Sequence, residues 1–127
     1  LSPLSPAGGL DEGPDAPELY RYLVAELNKL NLAYLHILHT GNEELLKTLR
    51  AEWKHPLLVN RPGAAPDALP RDIAAGIAEV VPVGQLALAN PDLIQRLKSN
   101  AALNEPQRAS FFGGTDAGYT DYPALAS

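Results

Sequence analysis

What most constrains this chain is the order of its hydrophobic periods, because three short apolar runs alternate with segments of helical spacing and only a few residues join them. Leu19, Leu23, Leu27 and Leu30, with Tyr20 and Val24 beside them, recur at three- and four-residue intervals and predict a helix to about residue 30. Asp15 is its candidate cap, Pro17 lies in the tolerated first turn and Glu18 occupies the capping-box position. Residues 32–38 (LAYLHIL) then read as a buried strand, closed by Thr40-Gly41-Asn42. A second helix is expected over residues 42–53, with Asn42 as cap, Glu43 and Glu44 at its positive end, and Leu45, Leu46, Leu49 and Trp53 turned inward. Residues 57–60 form another short apolar run. A helix over 66–75 must be disturbed or split by Pro70, and Gly76 is a plausible stop. Residues 80–83 read as a third strand despite Pro82, and Asn90-Pro91-Asp92 opens a helix through Leu97.

Alternation of this kind means parallel strands joined by right-handed crossovers, hence an α/β fold. Three strands cannot close an eight-stranded barrel, which takes roughly 250 residues. The chain therefore reads as a small open sheet or as the end of a larger barrel. The first fifteen residues, with three prolines and three glycines, are an expected loop, and residues 100–127 a polar, glycine-rich tail.

Charge and composition narrow the function. Fifteen acidic residues against ten basic ones, the latter scattered, argue against a nucleic-acid footprint. No run is long and apolar enough to span a membrane, and no signal peptide is recognisable, so a cytoplasmic protein is expected. The absence of cysteine removes disulfides, thiolate metal sites and cysteine nucleophiles. The absence of methionine and the opening Leu1-Ser2-Pro3 suggest that the chain is not a whole gene product.

Few residues stand out for chemistry. His36 and His39 are three apart, and on a strand that spacing sends them to opposite faces, so no metal site is expected. His55 falls at a helix end, where a cation suits the dipole. More telling are Asn60-Arg61-Pro62-Gly63 and Gly84-Gln85, which follow the second and third apolar runs and would lie at the C-terminal ends of adjacent parallel strands. Ligands bind at that edge, and in β/α barrels the last loops and a short extra helix often hold a phosphate. Arg61 could supply a positive charge and residues 85–89 the short helix, although the same segments also read as ordinary turns.

A resemblance bears on that choice. GQLALANPDLIQRL from Gly84, then AALNEP, SFFGG and GYTDYP, resemble the C-terminal part of the old yellow enzyme family of FMN-dependent ene-reductases. LSP at residues 1–3 looks like the end of that family's fifth barrel strand, LNLAYLH its sixth, PLLV its seventh and AEVVPVG its eighth. The resemblance implies that residues 1–127 are the C-terminal portion, about the last three β/α units, of one FMN-binding (β/α)8 TIM barrel. NADH or NADPH would reduce the flavin, and the flavin would pass hydride to a small activated alkene such as an enone or nitroalkene. The family's substrate-holding pair, its tyrosine proton donor and its flavin-side threonine belong to earlier strands, so no catalytic residue is expected here. The isolated chain should be inactive without the N-terminal part of the barrel, and a homodimer is possible.

The resemblance assigns cofactor contacts to Arg61, Pro62, Gly63, Gly84 and Gln85, with departures. The family usually carries glycines after strand seven and Gly-Arg after strand eight. Here Pro62 offers no N–H and Gln85 no charge. Arg61 is expected to stand in for the missing arginine, both strand ends facing one phosphate pocket. Phe112 matches a position where the family often presents a tyrosine, implying a more apolar substrate rim. Gly8 and Gly9 imply a more open entrance, and Tyr119, Asp121 and Tyr122 a hydrogen-bonded tail. Two other readings compete: a degenerate barrel acting as a binding or scaffold module, and a small stand-alone α/β interaction module.

Overall fold

The computed structural model describes residues 1–113 and 115–125, and its backbone divides into two compact units, Leu1–Pro82 and Val83–Ser127.

In the first unit, helix α1 (Ala16–Leu27), strand β1 (Leu35–Leu38), helix α2 (Glu43–Glu52), strand β2 (Leu57–Asn60) and the short helix α3 (Pro70–Ala74) follow in that order. The strands are parallel, Leu35 opposite Leu57 and Leu38 opposite Asn60. Strand alternation sends Leu35, Ile37, Leu57 and Val59 to one face. There they bury with Val24 of α1, Leu45, Leu46 and Leu49 of α2, and Trp53. Leu1 lies beside β1: its carbonyl accepts from Leu38 N–H at 2.8 Å, and Thr40 Oγ1 donates to the Pro3 carbonyl at 2.9 Å.

Several expectations hold in detail. Asn42 caps α2, its side chain accepting from Leu45 N–H at 3.0 Å. Pro70 does split its segment, leaving a 3-10 turn at Pro66–Ala68 and starting α3 as its first residue. Gly76, at φ +68°, closes that segment.

Three expectations are corrected. Asp15 lies in helical geometry and caps nothing with its side chain. The inward face of α1 runs through Ala16, Tyr20, Val24 and Leu27, whereas Leu19 and Leu30 are exposed; the row of leucines is offset by about one position from the stripe that packs. The third strand is reduced to a single parallel bridge, Leu58 to Val80, because Pro82 carries no N–H with which to extend a ladder.

In the second unit, helix α4 (Gly84–Ala89) is followed by α5 (Leu93–Ser99) and a 3-10 turn at Arg108–Ser110. α5 starts at Leu93, later than Asn90-Pro91 suggests, since the Asp92 side chain turns to Arg96 (2.6 Å) and to Leu125 N–H (2.7 Å) and not to the helix amides. Asn100 ends it in the left-handed region at φ +52°, as Asn tolerates. The buried Arg96 guanidinium also donates to the carbonyls of Ala102 (2.6 Å) and Pro123 (2.8 Å), so this one side chain fastens the tail. Tyr122 and Asp121 act as expected: Tyr122 Oη accepts from Gln107 N–H, and Asp121 Oδ1 from Gly118 N–H, both at 2.7 Å. Tyr119 is exposed. Among the described residues, no helix is long and apolar enough to cross a membrane.

Candidate functional site

Parallel strands gather the polar ends of their successive loops at one edge, and in the first unit that edge holds an interlocked charge cluster. Arg61 leaves the end of β2 and reaches both neighbouring helices. Its Nε donates to Asp72 Oδ2 at 2.6 Å and its Nη2 to Asp72 Oδ1 at 2.9 Å, while Nη1 and Nη2 engage the two carboxylate oxygens of Glu43. Both pairs are bidentate, the strongest arrangement open to a guanidinium. Asp72 is buried in α3, whereas Glu43 stands half exposed at the start of α2. His39 Nε2 lies 2.9 Å from Glu43 Oε1, its imidazole nearly buried. The bond from Arg61 holds the Glu43 carboxyl below the usual carboxylate range, and the two carboxylates together push the guanidinium further up.

Arg61 is thus where the sequence puts it, at a strand's C-terminal end, but its charge is already answered. Pro62 and Gly63 are exposed beside it, and Gly63 takes φ +77°, a backbone that only glycine adopts without strain. Nothing in the spacing announced Asp72. The available signal was an acidic residue in the first turn of a short helix that follows an arginine-bearing loop.

In the second unit, Gly84 and Gln85 are exposed and form the first turn of α4, with no side-chain cap from Val83. Open space surrounds the position where a Cβ on Gly84 would lie. Phe112 is 94% exposed; the SFFGG motif runs on into Gly114, which lies outside the described residues. Gly8 and Gly9 form an exposed turn at positive φ.

His36 is exposed on the face of β1 opposite Ile37, and the His55 ring meets Trp53 edge-on with centroids 5.1 Å apart. Among the described residues, no cluster of His, Cys, Asp and Glu could hold a metal ion.

Parallel strands each followed by a helix, with the polar loops collected beyond their C-terminal ends, form the arrangement found in one portion of a β/α-barrel protein. Comparison with known proteins agrees. No family model matches the chain. It is 34% identical over 119 residues to a "Probable flavin mononucleotide-dependent alkene reductase" of Leishmania infantum, covering 91% of this chain and 32% of that protein. It is 35% identical over 126 residues to a 12-oxophytodienoate reductase-like protein of Solanum lycopersicum, covering 96% and 35%. Among solved structures it matches morphinone reductase in complex with tetrahydroNAD (TM-score 0.85, 33% identity, all of this chain and 35% of that one). It also matches the old yellow enzyme of Trypanosoma cruzi (TM-score 0.84, 27% identity, 98% and 34%). The chain is thus similar to members of the old yellow enzyme family over nearly all of its own length, and it spans about a third of the length of the relatives it matches.

Proposed function

We propose that this chain is part of an FMN-dependent oxidoreductase that takes hydride from NADH or NADPH and delivers it, through the flavin, to a small activated alkene such as an enone or nitroalkene. The observation that carries this reading is the match to morphinone reductase, which extends over the whole chain at 33% identity. When bound, FMN accepts and donates the hydride. This chain's own residues serve binding, and the groups that touch the alkene and its proton are assigned to the remainder of the barrel.

The donors present are of the kind a flavin phosphate takes. In the second unit, Gly84 and Gln85 offer exposed first-turn amides with no side chain capping them. In the first unit, Gly63 offers an exposed amide on a loop where a side chain would be strained. Pro62 contributes shape but no donor. Phe112 is the proposed substrate-rim residue, and its bare, exposed ring would favour apolar substrates.

A second reading is favoured by one observation: the positive charge expected to meet the phosphate is held by two carboxylates. On that reading the barrel has lost tight FMN and acts as a binding or scaffold module. Native mass spectrometry of the full protein that carries this chain separates the two. Retained FMN that is bleached by NADPH and re-oxidised by an enone supports the oxidoreductase. A flavin-free protein that takes up no added FMN refutes it and leaves the scaffold reading.

A further inference from the structure

A guanidinium has five N–H donors, and four of those on Arg61 are spent on Asp72 and Glu43. One Nη1 hydrogen remains. Two carboxylates around a single cation leave the trio with a net negative charge, and Asp72 is too deeply buried, at 7% exposure, to surrender its partner cheaply. An anion arriving at this edge therefore meets a carboxylate surplus. Geometrically, the guanidinium bridges Glu43 of α2 and Asp72 of α3 beside the 61–63 loop.

We propose that Arg61 is a positioning residue and not an anion ligand: Asp72 and Glu43 clamp it so that it ties α2 to α3, and Glu43 withholds it from phosphate. The proposal refines the FMN reading where it concerns phosphate, whereas the clamp rests on this unit's geometry alone. Glu43, half exposed and carrying the weaker of the two pairs, is the removable guard. Asp72 is the fixed anchor.

The test compares FMN with riboflavin, which lacks the phosphate, by fluorescence quenching in the full-length protein, alongside thermal melts. For Arg61→Ala, the ratio of FMN to riboflavin affinity should stay as in the wild type while the melting temperature falls. For Glu43→Gln, the ratio should rise, because a freed guanidinium gains access to phosphate. A phosphate ligand lost in Arg61→Ala would lower the ratio roughly tenfold or more, and that result overturns the proposal. So does an unchanged melting temperature. Should Arg61→Ala fail to fold, Arg61→Gln serves, since its amide keeps part of the bonding to the carboxylates but brings no charge to a phosphate; it should melt lower with the ratio unaltered.

If the wild type binds neither flavin, the FMN reading fails and the clamp is judged by a double-mutant cycle. An Arg61→Ala/Asp72→Asn protein melting no lower than Arg61→Ala supports the clamp. Additive losses refute it.

Discussion

Asn90 and Asn104 exchange hydrogen bonds: Asn90 Oδ1 accepts from Asn104 N–H at 2.7 Å, and Asn90 Nδ2 donates to the Asn104 carbonyl at 3.3 Å and to the Leu86 carbonyl at 2.9 Å. Asn90 is 1% exposed, so no water waits to replace a lost partner. Asn90→Leu keeps the side chain's branching, enlarges it and orphans the Asn104 N–H, which should cost about 2–4 kcal/mol. Urea unfolding of the intact protein checks this; a loss under about 0.5 kcal/mol would mean that the segment rearranges to satisfy itself.

Gly118, the glycine of GYTDYP, should tolerate no side chain. It sits at φ +71°, and an added Cβ would overlap Ser110 Oγ and stand 2.9 Å from Ser110 Cβ. Positive φ alone costs about 1–2 kcal/mol for an L-residue, so Gly118→Ala should lose more than that and expose the tail to proteolysis. Ser110→Gly in the Gly118→Ala background should recover part of the loss; no recovery would place the cost wholly in the backbone.

In the first unit, Leu49 of α2 has no exposed surface and packs within the cluster that holds Trp53. Leu49→Ala should cost about 2–5 kcal/mol. Because Trp53 is the chain's single tryptophan and is 2% exposed, its native emission should be blue-shifted, and the variant should reach the red-shifted unfolded spectrum at lower denaturant. Lys47→Ala, on the exposed face of the same helix, should change stability by less than about 0.5 kcal/mol.

Two groups give opposite responses to pH. Glu43 titrates below its ordinary 4.5, chiefly because Arg61 bonds its carboxylate. Its contribution is therefore present above that pH and lost as acid protonates the folded form. Between wild type and Glu43→Gln, the difference in melting temperature should shrink on acidification. Tyr20 is pushed up to about 12, first by burial and then by its bond to Glu12. The folded state keeps that proton more tightly than the unfolded state, so its contribution is full below 10 and fades as pH rises toward 12. Tyrosinate absorbance should show one phenol ionising late, and the late phase should vanish in Tyr20→Phe.

Local features were readable in the sequence where their cause is local. Asn42 caps α2 because the carboxamide, the first amides and the acidic residues after it lie within one turn. Pro70 splits its segment because its ring permits nothing else. Asp15 carries the same kind of signal, yet its own backbone is helical, and a cap must stand outside the helix. Val80 has strand propensity, but ladders need a donor and Pro82 has none. Least legible were the pairs that only the fold brings together. Arg61 meets Asp72 across eleven positions and Glu43 across eighteen. The position of Arg61 at a strand end was evident, whereas its commitment to two carboxylates was not.

The reliance of residues 83–125 on Arg96, Asn90 and Asn104, where the first unit relies on leucines, has a calorimetric consequence. Exposing apolar surface raises heat capacity, and exposing amide and guanidinium groups lowers it. Among the described residues of the second unit, the buried apolar side chains are Ala89 and Leu93, so its melting should add enthalpy with little heat-capacity increment. Its stability should then decline almost linearly with temperature, while that of the leucine-built unit follows a curved dome.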